Sequence, residues 1–327
     1  MPQLVTIFGG SGFVGRYIAQ RMARRGWRVR VAVRRPNEAH FVRPYGRVGQ
    51  VEPLFANIRD DASVRAAIRG ADAVVNCVGT FDARGRNNFQ AVQNEGAARI
   101  ARIASEEGVA RLVHISAIGA DPEGASLYAR SKGMGETAVR EACPDAVILR
   151  PSVIFGPEDG FFNRFAGMAR LSPVLPLVGA DTRFQPVYVD DVAKAAEKGV
   201  LGEAAPGVYE LGGPDIDTFR GLMETMLDVI GRRRLILALP FWVGSAIGRV
   251  SGAVSFLTGG LAPQPITVDQ VTSLRNDNVV SESFPGFAEL GIAPVAMEAV
   301  LPSYLWMFRP SGQYAEIKDS AKNLKKI

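Results

Sequence analysis

The stretch VTIFGGSGFVGR, residues 5–16, restricts the fold more than any other part of this sequence. A continuous apolar run, QLVTIF, stops at glycine, and an amphipathic segment begins a few residues later. An apolar run of that length suits a strand covered on both faces, as in parallel sheets. The segment after it places Phe13, Val14, Ile18 and Met22 on one helical face and meets a stop at Gly26. Gly9, Gly12 and Gly15 stand at G-x-x-G-x-x-G spacing across the join. Gly9 permits a tight turn, Gly12 lets backbone approach a pyrophosphate, and Gly15 lets the helix lie close on the strand. A dinucleotide's pyrophosphate then meets the free N–H groups of the first helical turn, around Ser11, Gly12, Phe13 and Val14. The glycines alone would also suit a purely structural turn; the flanking strand and helix favour the nucleotide.

The alternation continues through the first half of the chain. WRVRVAVRR reads as a second strand and Asp61–Arg69 as a helix. The strand AVVNCVG starts at Ala73, and a helix runs from Phe89 to Glu107. RLVHISA from Arg111 is a strand, a helix carries Lys132, and AVILRPSVIFG is the next strand. Strand and helix at this spacing predict an α/β fold built on a doubly wound parallel sheet of the Rossmann kind. A nucleotide-binding domain over 1–156 is expected, followed by a smaller, irregular C-terminal lobe over 157–327 with segments returning to the sheet. The last residues, IKDSAKNLKKI, read as a basic and disordered tail.

Charge sharpens the ligand. Between Arg16 and Gln50 there are ten arginines and one acidic residue, Glu38, an excess that suggests an anionic ligand or an acidic partner. No nucleic-acid motif or interleaved aromatic stripe accompanies it. NAD sites end the second strand with an acid that bonds the ribose 2′-hydroxyl. This strand ends AVRRP, with Arg34 and Arg35 at that place, which favours the 2′-phosphate of NADP(H). Solvated surface arginines are the plainer alternative. The two cysteines, Cys77 and Cys143, give neither a disulfide framework nor a metal spacing. Asp190 and Asp191 read as helix caps and not as metal ligands.

One apolar stretch stands apart. After Arg232, Arg233 and Arg234 comes LILALPFWVGSAIGRVSGAVSFLTGGLAP, about residues 235–263. Pro240, Arg249 and the repeated glycines weaken a membrane-spanning reading, leaving an interfacial or partner-docking segment and a buried lid as the alternatives. No leader of the secretory or organellar kind is read at the N-terminus. The expected location is cytoplasmic, either free or peripheral on the cytoplasmic face of a bacterial inner membrane.

Taken together, the glycine turn, NCVG at Asn76–Gly79, Ser116 after a strand and YARSK at Tyr128–Lys132 resemble the extended short-chain dehydrogenase/reductase superfamily. FQPVYVDDVA matches its sugar-epimerase-like members, and the resemblance covers roughly the first 215 residues. It implies that Asn57 and Ile58 border the adenine, that Asn76 and Gly79 line the cofactor cleft, and that Pro151, Ser152 and Val153 lie near the nicotinamide. In an active member Tyr128 would move the substrate proton, Lys132 would lower its pKa and hold the nicotinamide ribose, and Ser116 would orient the substrate oxygen. Tyr128 and Lys132 are one helical turn apart, so both can face a cofactor. Lys132 would serve a bound ribose even without turnover.

Within the superfamily, VTIFGGSGFVGR, the arginines after the second strand, YARSKGMGE and the long apolar stretch look like the NAD(P)H-binding accessory subunits of respiratory complex I. That resemblance implies a tightly held NADPH with a structural role, and partner subunits at the junction of the peripheral and membrane arms. The rival expectation is an active NAD(P)-dependent reductase or nucleotide-sugar epimerase using Tyr128 and Lys132. A redox-sensing regulator is a third.

Overall fold

A computed structural model describes residues 2–81, 85–258, 264–310 and 312. The tail read from IKDSAKNLKKI and the final residues of the apolar stretch, 259–263, lie outside them. The chain divides into two compact units. The first comprises Met1–Ser152, Val189–Gly212 and Val280–Pro294; the second comprises Val153–Tyr188, Gly213–Val279 and Val295–Ile327.

In chain order the elements begin β1 (Leu4–Phe8), α1 (Phe13–Arg24), β2 (Arg28–Val33), β3 (Val51–Phe55), α2 (Asp61–Ile68), β4 (Ala73–Asn76), α3 (Glu95–Glu106), β5 (Arg111–Ile115), α4 (Leu127–Ala142) and β6 (Val147–Pro151). They continue with β7 (Ile154–Phe155), α5 (Phe162–Leu171), β8 (Val174–Val178), β9 (Arg183–Phe184), β10 (Val187–Tyr188), α6 (Val189–Leu201), β11 (Gly207–Leu211), β12 (Asp217–Thr218) and α7 (Phe219–Val229). The remainder is β13 (Leu235–Leu239), α8 (Phe241–Leu257), α9 (Val268–Ser273) and α10 (Met297–Leu305). A 3-10 helix, Pro36–Tyr45, precedes β3, and a π-helical turn, Gln90–Asn94, leads into α3.

The first unit holds a seven-stranded parallel sheet ordered β11-β6-β5-β4-β1-β2-β3. From β1 the chain winds one way through β2 and β3, then crosses back to lay β4 on β1's other side. That reversal is the switch point at which doubly wound sheets open a ligand crevice. All five residues of β1 are buried, as its unbroken apolar run requires. One face of the sheet carries a core of Val64 and Ile68 from α2, Ile100 and Ile103 from α3, and Val139 from α4. On α1 the buried side chains are Ile18, Ala19, Met22 and Ala23, and this helix packs on α6.

Four of the ten arginines near the N-terminus are paired with acids. Arg21 pairs with Asp190 and Glu197, Arg25 with Glu197, Arg35 with Glu38 and Arg43 with Glu52. Arg30 donates to the carbonyls of Ala67 and Arg69. Asp190 and Asp191 both fall in the first turn of α6, where they meet Arg21 and Lys194. No metal-holding cluster occurs among the described residues.

The second unit has its own core. Phe155, Phe162, Phe184 and Phe219 pack with Leu175, Met223, Met226 and Leu301. Asp159 accepts from the backbone N–H groups of Gly156, Phe161 and Asn163 and from the Tyr304 hydroxyl at 2.6 Å, so this buried carboxylate is fully engaged. Burial pushes its pKa up, against those hydrogen bonds.

Candidate cofactor cleft at the sheet switch point

The glycine turn is built as its spacing requires. Gly9 has φ +74°, and a β-carbon there would lie 3.2 Å from the Cys77 carbonyl at the end of β4. Gly12 caps α1 in extended conformation, its N–H donating to the Gly9 carbonyl at 2.9 Å. No side chain caps the helix and no acid lies in its first turn, so its N–H groups keep their affinity for an anion. A β-carbon on Gly12 would touch only the Gly9 carbonyl oxygen, at 3.1 Å, whereas one on Gly15 would overlap that oxygen and lie 2.7 Å from Gly10 Cα. Close helix–strand contact therefore belongs to Gly15, while Gly12 is exposed along with the half-buried Ser11, Phe13 and Val14.

A residue the sequence reading missed supports this turn. Arg16 donates to the carbonyls of Gly12 and Ser11, and its guanidinium lies over the Phe41 ring, 4.9 Å from the centroid. It thereby links the glycine turn to the segment after β2; its position directly after Gly15 was the available signal. At the end of β2, Arg35 is held 3.1 Å from Glu38, while Arg34 is exposed and unpaired among the described residues. Asn57 accepts from the Arg59 N–H, and Ile58 is buried against Gly96 of α3.

A second set gathers where β4, β5 and α4 converge. Asn76, buried, donates through Nδ2 to His114 Nδ1 at 3.1 Å and accepts from the Val78 N–H. Burial holds His114 neutral, with a pKa pulled down to about 3. Lys132 Nζ donates to the Ile115 carbonyl at 3.1 Å and lies 3.9 Å from where a Gly79 β-carbon would stand. Gly9, Cys77, Gly79, Lys132 and Ser116 thus follow one another along the carboxyl edge of the sheet.

Tyr128 and Ser116 are each engaged by neighbouring side chains. The ring of Tyr128 is stacked on Phe81 at 5.6 Å and 12°, with Phe89 edge-on at 5.9 Å. Burial pushes its hydroxyl up to about 12, opposite in direction to a tyrosine activated by a lysine. Ser116, buried, donates its one hydroxyl proton to Glu136 Oε1 on α4. Glu136 is in turn gripped side-on by Arg150, through Nε to Oε1 at 2.9 Å and Nη2 to Oε2 at 2.6 Å. Arg150 also reaches Glu210 at 3.5 Å and lies over Phe284 at 4.8 Å. None of Glu136, Arg150 and Glu210 was singled out from sequence, because buried charges on separate elements have no local pattern. Pro151 ends β6, its carbonyl accepting from the Ile118 N–H, and Ser152 closes this stretch of the first unit. Val153 opens the second unit, where its N–H donates to Asn278 Oδ1 at 3.0 Å.

Lys132 gives a pH test. Burial pulls its pKa down to about 8, partly opposed by Glu136 and Cys77. Between about pH 8 and the ordinary lysine range the unfolded chain therefore binds more protons than the folded one, and stability from this group rises with pH. Burial pushes the Cys77 thiol up to about 12, which gives an opposing trend, so the test is a difference: between pH 7.5 and 10 the urea midpoint of the wild type should rise relative to that of Lys132→Met.

The family description "NAD dependent epimerase/dehydratase family" matches residues 5–212. The chain belongs to that family. Over 319 residues it is 32% identical to NADH dehydrogenase (ubiquinone) 1 alpha subcomplex subunit 9, mitochondrial, of Arabidopsis thaliana, covering 94% of this chain and 79% of that protein. It is 34% identical over 241 residues to the ceramide reductase of Caulobacter vibrioides, covering 72% of this chain and 74% of that enzyme. The Thermus thermophilus UDP-glucose 4-epimerase, solved with NAD, has the same fold at TM-score 0.66 and 20% identity, over 94% of this chain and all of that one. Epimerase/dehydratase family membership rests on the stretch that holds both the glycine turn and Lys132.

Proposed function

We propose that this protein holds a nicotinamide dinucleotide, NADP(H) in preference to NAD(H), as an accessory subunit of an NADH:ubiquinone oxidoreductase of the complex I type. The observation that carries the reading is the likeness to a complex I subunit over 94% of the chain. The residues fit the cofactor. The open first turn of α1 suits the pyrophosphate, and Gly12 and Gly79 leave room where larger side chains would intrude. Asn57 and Ile58 would border the adenine and Asn76 the cleft, with Lys132 on the nicotinamide ribose and Pro151 and Val153 near the ring. Arg34, unpaired, and Arg16, tied to the segment after β2, would supply the positive charge for a 2′-phosphate, with Arg35 partly spent on Glu38. Bound nicotinamide would supply hydride chemistry.

Arg34→Ala should weaken NADPH about tenfold to a hundredfold, since a charge-assisted hydrogen bond contributes about 1.5–3 kcal/mol, and should leave NADH nearly unchanged. Titration of the fluorescence of both reduced nucleotides tests this; equal weakening of the two would remove the preference. For assembly, membranes from a strain lacking the chain should contain less fully assembled NADH:ubiquinone oxidoreductase on native gels, restored by the wild-type chain. Assembly at the normal level without it would contradict the role.

A second reading, a reductase acting on a lipid of the ceramide class, is favoured by the relative of that name. In that case Tyr128 moves a proton to the substrate oxygen and Lys132 positions the ribose. Tyr128→Phe separates the two: it should leave bound nucleotide and assembly unchanged in an accessory subunit and abolish nucleotide oxidation in a reductase.

A further inference from the structure

In the second unit, helix α8 is packed inside out. Its buried residues are Gly244, Gly248 and Gly252, four apart on one face, pressed toward Val178, Val271 and Val268. The opposite face presents Trp242, Val250 and Leu257, with Phe256 beside them; Trp242 is 72% and Phe256 74% exposed. Ordinary surface helices bury their large apolar residues and turn small or polar ones outward. The preceding strand behaves alike, with Leu235 and Leu237 exposed on alternate positions. Contiguous apolar surface of this kind marks a contact with something other than water.

Charge indicates what covers it. Between Asp228 and Asp269 the sequence has four arginines and no acidic residue. Arg232 and Arg234 donate to the Phe308 and Ala169 carbonyls, while Arg233 and Arg249 are exposed. Among the described residues no helix is long and apolar enough to cross a membrane. An apolar face bordered by cations, carrying tryptophan and lacking acids, matches the interface of a bilayer with anionic headgroups, into which such a helix sinks lengthwise. We infer that β13 and α8 form a docking surface for an anionic phospholipid bilayer, with Trp242 and Phe256 entering the acyl boundary and Arg233 and Arg249 at the headgroups. This names a lipid partner and requires neither reading of the cleft.

The test is flotation of the full chain with vesicles of phosphatidylcholine alone or with about 30 mol% phosphatidylglycerol, following tryptophan emission. The wild type should bind the anionic vesicles at least about tenfold more tightly, with a blue shift, and the difference should shrink as salt is raised. Trp242→Glu with Phe256→Glu should lose about tenfold or more on both compositions while melting at the wild-type temperature, because both side chains are exposed. Arg233→Glu with Arg249→Glu should lose the preference for anionic vesicles. Three results would overturn the inference: no vesicle binding at any composition, wild-type binding by the Trp242/Phe256 variant, or a dimer dissolved by that variant, which would make a second copy the occupant. Bound nucleotide assayed in the same samples keeps a failure here distinct from a failure of the cofactor reading.

Discussion

Arg150→Met is expected to destabilise the protein by about 3–5 kcal/mol, the cost of leaving buried charges without their partner. Glu136 and Glu210 are both almost fully buried, and the guanidinium of Arg150 serves both. Without it, among the described residues, Glu136 keeps the Ser116 hydroxyl and Glu210 keeps the Ser281 N–H, which donates to its Oε2 at 2.8 Å. Adding Glu136→Gln and Glu210→Gln to Arg150→Met should recover part of the loss by removing the unpaired charges. Thermal melting and urea unfolding measure it. A midpoint for Arg150→Met indistinguishable from wild type would mean that the network is not desolvated.

The glycine turn gives the second large effect, and its two glycines should fail differently. Gly12→Val is expected to fold and to lose nucleotide affinity by a hundredfold or more, about 3 kcal/mol, because its side chain would occupy the approach to the first turn of α1. Gly15→Ala should fail at folding. Inside a helix, glycine to alanine ordinarily gains about 1 kcal/mol. Here the new β-carbon would overlap the Gly9 carbonyl oxygen, so α1 would have to move off β1, and overpacking outweighs helix propensity. Circular dichroism and nucleotide titration on the two variants separate these outcomes. Normal nucleotide binding by Gly12→Val would remove the cofactor assignment.

Much of the fold was legible because local patterns encode it. The unbroken apolar run of β1, the glycine spacing and the strand–helix alternation through β6 follow from side-chain periodicity. Harder to read was β3: VEPLF carries Glu52 and Pro53, and a sheet's outermost strand tolerates both, so it lacks the fully apolar signature of its neighbours. The return of Gly207–Leu211 beside β6 is a long-range pairing that no local spacing announces. For the cleft, glycines and the Tyr–Lys spacing identify candidates, but what each touches depends on other elements. Ser116 gives its proton to a carboxylate twenty residues on, and Tyr128 packs against the rings of Phe81 and Phe89, which lie between β4 and α3. The apolar stretch was conspicuous in sequence; that its glycines face inward and its large residues outward came only from the packing of α8.

The central claim is a nicotinamide nucleotide held as part of the structure, and the most direct measurement is of what the protein carries. The chain should be purified gently from its native host and denatured, and the released nucleotide separated and counted per chain. The account predicts near-stoichiometric NADPH that survives purification and is retained by Tyr128→Phe. An empty site, or NAD(H) in rapid exchange, would contradict it and make turnover at Tyr128 the better account of the cleft.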